Sequence, residues 1–337
     1  MWMADWKKFV QHYPVEPLVS SNYVAIQYFS RRDLLCEDVE SIEKPWNLKK
    51  PKKLLGRQLE DGSWKYPGKN PARYPDVNYG LVETFKHLRL LVGKYGFDGS
   101  HPVIDRAVEY MFSCQTDEGD IRGAYASQYH PHYCGAFMEY IIKAGYSEDS
   151  RVEKCIRWLL SVQGDDGGWS PPMLTEGLNW KDVTELSTNN APTLGFDRSK
   201  PSCNMVTGMT LRALACHPEY RISDEARKAG EFLSTRFFKA NIYNTYKAED
   251  NWVRFQYPYW WNNLLGALDS LSRIGFTVEH PKVKEALDWF IEHQRIDGLW
   301  DGNYKKNAKK IDTEKAREER HWISLAVCRM MKKFYEN

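Results

Sequence analysis

The 337-residue chain has no apolar run near the ~20 residues that a membrane-spanning helix needs; the longest, around His321 to Cys328, falls far short. A spanning helix is therefore not expected. It has little net charge: 47 Lys and Arg against 45 Asp and Glu leave +2, so no global field draws the chain to nucleic acid or an anionic membrane. Its seven cysteines, Cys36, Cys114, Cys134, Cys155, Cys203, Cys216 and Cys328, are odd in number, widely spaced and without a Cys-x-x-Cys pair. That argues against a disulfide framework and a zinc ribbon. Gly-x-Gly-x-x-Gly, Gly-Lys-Ser/Thr, His-Glu-x-x-His and Gly-x-Ser-x-Gly are all missing, which leaves nucleotide chemistry and serine hydrolysis without support. The opening MWMADWKKFVQHYP carries charge where a secretory signal would be apolar, so the expected location is cytoplasmic. No Gly-, Ser- or Pro-rich stretch is long enough to split the chain, and one domain over 1–337 is expected.

What is present is aromatic: 13 Trp and 20 Tyr lift aromatics to 14% in an otherwise ordinary globular composition, 42% hydrophobic and 27% charged. A repeat accounts for several tryptophans. Gln58-Leu-Glu-Asp-Gly62-Ser-Trp64, Gln163-Gly-Asp-Asp-Gly167-Gly-Trp169 and Gln294-Arg-Ile-Asp-Gly298-Leu-Trp300 align without gaps, and Gln115-Thr-Asp-Glu-Gly119-Asp-Ile121 is a degenerate fourth copy. Upstream of these, AVEYMFSCQ, VEKCIRWLLSVQ and VKEALDWFIEHQ place apolar residues at the helical period, so each copy is expected to close a helix. The Gln would bond carbonyls of its own last turn, the Asp would bond turn amides, the Gly would supply a left-handed stop, and the Trp would pack across the neighbouring helix end.

Five such outer helices are expected at 46–58, 102–115, 151–163, 223–236 and 282–294. An inner series opens near Asp76, His132, Ser202, Tyr259 and His321, with Gly80, Gly135, Gly208 and Gly266 in the first turns of four members to let helices approach closely. With a further helix between Ser21 and Leu35, behind an N-terminal extension, the pairs approach six, which predicts an all-α, (α/α)6 toroid. Long loops at 170–201 and 241–258 would lie over the barrel. The basic runs Lys49–Lys53 and Lys305–Lys310 read as solvated surface, with peripheral membrane contact as the other reading.

If the inner helices all begin on one side, their N-termini bring polar and aromatic residues to a common mouth. Asp76, His132, Tyr133, Cys203, Asn204 and His321 are the catalytic candidates; Asn78, Tyr79, Tyr259, Trp260, Asn262 and Trp322 are the ligand-contact candidates. Arg73, Arg198 and Arg320 precede three of these helices and would form a basic rim. An aromatic cavity with such a rim suits an apolar ligand with an anionic head such as a diphosphate, and its rings would stabilise a developing positive charge. The competing reading is that the aromatics simply fill a small core.

Gln-x-x-Asp-Gly-x-Trp closing an outer helix resembles the repeat of the squalene cyclase and prenyltransferase superfamily, whose members form α/α barrels. The likeness runs from about Leu54 to the C-terminus, and the length and the AIQYFSRRDLL opening resemble most its small prokaryotic members. It implies an isoprenoid or apolar ligand in the central cavity. Class II cyclases of the superfamily use an Asp-x-Asp-Asp acid; it is missing here, and the paired acids Asp165-Asp166 and Asp117-Glu118 sit in repeat turns, where a structural role is expected. The zinc of the protein prenyltransferases is held by an Asp-x-Cys pair at the start of the penultimate inner helix and a His opening the last. Here His321 is kept, whereas Tyr259-Trp260-Trp261-Asn262-Asn263 replaces the pair. A rearranged metal set would have to draw on His132, Cys134 and Cys203 with His321; the competing reading makes the cysteines core residues and the histidines caps. Zinc and magnesium both stay open, with neither assigned. Three functions follow: a cyclase- or prenyltransferase-type enzyme, a non-catalytic isoprenoid-binding protein of the same fold, and an (α/α)6 glycan-processing enzyme in which Asp76 and Glu139 would share one cleft.

Overall fold

The computed structural model describes residues 5–244, 246–308 and 311–336. The first four residues of the charged N-terminal segment, and Lys309 and Lys310 of the second basic run, lie outside the described residues. The chain forms two compact units, one of residues 46–232 and one of 1–45 with 233–337. The fold class is all-α; among the described residues the one strand is the short Ala124–Ser127. None of the described helices is long and apolar enough to cross a membrane.

In the unit of 46–232, outer helices Lys49–Leu55, Pro102–Phe112 and Ser150–Ser161 alternate with inner helices Tyr79–Tyr95, Pro131–Lys143 and Asn204–Cys216. Their starts follow from local chemistry. Asn78 caps the first inner helix by accepting from the Leu81 amide at 2.9 Å, and Asp149 caps the third outer helix through the Arg151 amide at 2.8 Å. Pro102 and Pro131 occupy first helical positions, where no amide donor is needed. The outer helices bury one stripe, as in Val152, Cys155, Ile156 and Leu159, whereas 131–142 are buried all round. Gly135 is the residue that makes this crowding possible: a β-carbon there would stand 2.5 Å from the Thr210 Cα of the facing inner helix. Gly266, in the other unit, meets only ordinary van der Waals contacts and has no such role.

The unit of 1–45 and 233–337 holds inner helices Val24–Leu34, Leu264–Arg273 and Glu314–Glu336 and the outer helix Pro281–Glu292. Asp33 and Arg329 join the first and last of these by an ion pair, Nε to Oδ2 2.8 Å, and Lys333 reaches Asp269 at 2.6 Å. The 241–258 segment is held by the stretch after the last repeat: the Phe255 amide donates to the Gly302 carbonyl at 2.7 Å and the Tyr304 amide to the Val253 carbonyl at 3.0 Å.

The repeat is a fastener between consecutive outer segments, which corrects the expected role of its Gln. Each helix ends two or three residues before the Gln, and the amide side chain turns to the next segment instead of its own last turn. Gln58 Nε2 donates to Gly62 O and Val103 O (3.0 and 2.8 Å), Gln115 to Gly119 O and Arg151 O (2.9 and 2.8 Å). Gln163 bonds Gly167 O and Glu225 O (2.7 and 3.0 Å), Gln294 bonds Gly298 O and His12 O (2.9 and 2.8 Å). The Gly has a positive φ in all four copies, and a β-carbon at Gly62 would lie 2.3 Å from the Arg106 carbonyl oxygen, so only glycine permits this approach. The Asp bonds turn amides as expected, Asp61 to Ser63 and Asp297 to Leu299. Each Trp donates its indole N–H to a carbonyl ten residues back in its own outer helix: Leu54, Leu159 and Phe290, at 2.9, 2.8 and 2.7 Å. Its backbone amide donates to a hydroxyl of the following inner helix, Thr84, Thr207 or Ser324. In the degenerate copy the Ile121 amide meets the Cys134 thiol instead, at 3.4 Å.

Candidate functional site

The start of the inner helix Pro131–Lys143 carries the most unusual chemistry in the unit of 46–232. Pro131 starts the helix, placing His132 and Tyr133 in its first turn and His130 immediately before it. The strand Ala124–Ser127, which follows the degenerate repeat, brings in Tyr125. Tyr125 stacks on His130 with ring centroids 3.8 Å apart, His132 stands edge-on to His130 at 5.2 Å, and Tyr133 is 5.0 Å from His132 and 5.5 Å from Tyr125. The aromatic column continues through Phe137 to Phe85, at 5.6 and 5.0 Å.

Within this cluster His130 and His132 are 5% and 4% exposed. Both ring nitrogens of His130 and Nδ1 of His132 are buried without a hydrogen-bond partner. An unsatisfied buried polar group costs about 1–3 kcal/mol, so three such atoms at one place are a departure from ordinary packing. Burial disfavours the imidazolium: it lowers the His132 pKa to about 3, and it holds His130 well below its usual value, with the neighbouring His132 adding to the effect. Both rings are thus neutral at pH 7. The phenols of Tyr125 and Tyr133 share a hydrogen bond, and burial raises both above the ordinary tyrosine range.

A pH dependence follows. Between about pH 6.5 and 3 the unfolded chain binds a proton at His132 that the folded chain does not, so stability rises with pH across this window and is lost as pH falls. The urea midpoint is expected to drop between pH 7 and pH 5, and His132→Phe to flatten that drop; an unchanged slope in the variant would remove His132 as its source.

A cover segment ties itself to the same strand. In the 170–201 insertion, the Asn190 amide donates to Asp76 Oδ2 at 2.9 Å, Ser127 Oγ donates to Ala191 O at 2.6 Å, and Gln128 Nε2 donates to Pro192 O at 3.0 Å. The Leu194 amide returns to Gln128 Oε1 at 3.1 Å. Asp76 is therefore engaged in holding the insertion.

The other sequence candidates of this unit are placed differently. Asn78 is a cap whose Oδ1 also accepts from Tyr110 Oη at 3.1 Å, and Tyr79 packs its ring on Tyr66 at 4.5 Å. Cys203 is the buried N-cap position and Asn204 the buried first residue of their helix. Arg73 is exposed over the Tyr74 ring, and Arg198 is exposed 3.7 Å from Asp165. Cys134 has its thiol on the Ile121 backbone.

In the unit of 1–45 and 233–337 two helix starts differ from expectation. Glu314–Glu336 begins seven residues before His321, because Glu-Lys-Ala-Arg-Glu-Glu-Arg is a run of strong helix formers, so Arg320 and His321 lie inside the helix. Arg320 bonds Asp301 at 2.7 Å, and His321 Nδ1 lies 2.7 Å from Arg317 O. The preceding inner helix begins only at Leu264, capped by Asn263, which leaves Tyr259, Trp260 and Asn262 in the segment before it. Tyr259 is buried against Tyr257, Trp260 stands edge-on to Trp261, Asn262 is buried, and Trp322 stacks on Tyr257 at 5.7 Å.

Two further expectations are corrected. Among the described residues no group of three His, Cys, Asp or Glu is placed to hold a metal, so His132, Cys134 and Cys203, which share one unit, do not make a metal set among themselves. Glu139 is fully buried between Arg212 Nε at 2.7 Å and Lys143 Nζ at 2.6 Å, eight residues beyond Pro131, or ~12 Å along the helix axis from its start. It is not available to act with Asp76 as a glycosidase pair.

With this geometry in place, comparison with known proteins gives the relationship. Residues 81–175 match the squalene-hopene cyclase C-terminal domain family. That matched stretch is similar to the squalene-hopene cyclase domain. It contains Tyr125, His130, His132 and Tyr133, as well as the degenerate repeat and the Gln163 copy. Among solved structures, a protein from Actinoplanes is 15% identical, with 98% of this chain and 89% of that one covered and a TM-score of 0.46. A variant of the type II terpene cyclase MstE from Scytonema, in complex with geranylgeranyl dihydroxybenzoate, is 12% identical over 98% and 87%, TM-score 0.45. A glycosyl hydrolase of family 88 from Bacteroides vulgatus is 13% identical over 97% and 92%, TM-score 0.47. No curated protein matches the chain.

Sequence reading missed His130 and Tyr125, since one lies before the helix and the other in the short strand Ala124–Ser127. The run His130-Pro131-His132-Tyr133, two histidines astride a helix-starting proline, was the available signal.

Proposed function

We propose that this squalene cyclase-like chain encloses an isoprenoid or similarly apolar molecule and handles it as a terpenoid cyclase or prenyltransferase does. The buried Tyr125–His130–His132–Tyr133 cluster carries this reading: it offers aromatic faces to positive charge and neutral imidazoles to a proton, in a site from which water is excluded. The ligand is held against Tyr133 and the aromatic column below it, with Phe137 and Phe85 packing its hydrocarbon part. In this reading Asp76 positions the insertion, its Oδ2 accepting from the Asn190 amide at 2.9 Å.

A carrier without turnover is the second reading, favoured by the lack of an Asp-x-Asp-Asp acid. Native mass spectrometry of the protein, with and without added geranylgeranyl diphosphate and geranylgeraniol, tests both. A retained apolar adduct that disappears in Tyr133→Ala, with binding weakened at least tenfold, is the expected result; conversion of the added compound selects the enzyme and its simple retention selects the carrier. A bare chain with every ligand would overturn the proposal.

A further inference from the structure

The aromatic column explains affinity for hydrocarbon but leaves the three unpartnered imidazole nitrogens unused. A neutral imidazole presents one N–H donor and one bare nitrogen acceptor, so two adjacent rings with unmet nitrogens ask for a group that can accept from one ring and donate to the other. His130 is in that state at both nitrogens, and His132 is so at Nδ1, 5.2 Å away between ring centroids. The group must be small, since Tyr125 stacks on His130 at 3.8 Å, and uncharged, since among the described residues the groups that act on the two imidazoles are aromatic or neutral. Carbon cannot fill this role, and an anion would need a cationic partner in a site closed to water.

We infer that His130 and His132 form a head-group subsite for a neutral hydroxyl, an alcohol or phenol at the end of the apolar ligand, with Tyr125 as its movable cover. The hydroxyl donates to one imidazole nitrogen and accepts from an N–H of the pair, and the strand Ala124–Ser127 opens with the 190–194 segment bonded to it to admit the ligand. This rests on the apolar-ligand reading above, and it narrows the substrate class from isoprenoids in general, including the diphosphates suggested by the basic-rim expectation, to hydroxylated ones.

The experiment uses the full chain with ¹⁵N-labelled histidine and four probes: geranylgeraniol, the hydrocarbon of the same chain, geranylgeranyl diphosphate and phenol. Geranylgeraniol is expected to bind at least tenfold more tightly than the hydrocarbon and the diphosphate, to shift the ring ¹⁵N resonances of both histidines, and to lose its advantage in His130→Phe while hydrocarbon binding stays. Equal binding of alcohol and hydrocarbon, with unmoved resonances, would overturn the subsite and leave the apolar-ligand reading standing. Tightest binding by the diphosphate would also overturn it. Phenol shifting both histidines while no twenty-carbon probe binds would keep the subsite and refute the isoprenoid reading. Because the wild-type resonances report directly, a variant that fails to fold does not protect the proposal.

Discussion

Replacing Trp169 by Ala is expected to lower the unfolding free energy by about 3–5 kcal/mol, the range for truncating a fully buried Trp or Phe. Trp169 is 0% exposed, and three functions converge on it. Its indole fills the space above the last turn of the helix Ser150–Ser161 and donates to the Leu159 carbonyl at 2.8 Å, one of the acceptors that a helix end leaves unmet. Its backbone amide is held by Thr207 of the next inner helix at 2.9 Å. Truncation therefore opens a cavity and orphans a carbonyl at once. Trp169→Phe restores most of the volume but not the donor, so its loss should be smaller by the cavity part. Urea unfolding of the three proteins measures this; a loss below about 1 kcal/mol for Trp169→Ala would show that the repeat tryptophan is not the fastener the geometry describes.

The second large effect lies between the two fully buried inner helices. Glu139 and Arg212 are 0% and 2% exposed at the side chain, joined at 2.7 Å. Glu139→Leu leaves the Arg212 guanidinium buried beside Lys143 without its carboxylate, and a loss of about 3–5 kcal/mol is expected. Arg212→Met leaves Lys143 as a remaining partner for Glu139, so its loss should be smaller. The double variant Glu139→Leu/Arg212→Met removes both the attraction and the desolvation cost of the pair, and its stability should return to within about 1–2 kcal/mol of the parent. A double-mutant cycle read by denaturant unfolding decides this. Additive losses would mean that the two charges act independently and that the pair is not what joins the helices.

Much of the all-α architecture was legible because the repeat is chemically demanding. Gln, Asp, Gly and Trp at offsets of zero, three, four and six meet fixed backbone needs, and those needs recur at the four handovers from an outer helix to the next segment that carry the repeat. Helical periodicity likewise located the outer helices to within a few residues, since one stripe of each faces apolar neighbours and the rest faces water. Helix starts were less legible where strong helix formers extend the pattern, as before His321, or where an aromatic run resists it, as from Tyr259 to Asn262.

The candidate site divides the same way. His132 and Tyr133 were readable from their place at the head of an inner helix, whereas Tyr125 comes from a four-residue strand too short to show a period and His130 from the residue before a proline. Composition and spacing by themselves determined the aromatic content, the repeat and the helix alternation, because these follow from neighbours along the chain. Only the tertiary structure decided which rings meet, that Asp76 and Glu139 are committed to other partners, that Gln reaches forward instead of back, and that three imidazole nitrogens are left without partners. Each of these depends on residues far apart in sequence, and hydrogen-bond satisfaction and burial are properties of the packed neighbourhood that no local pattern encodes.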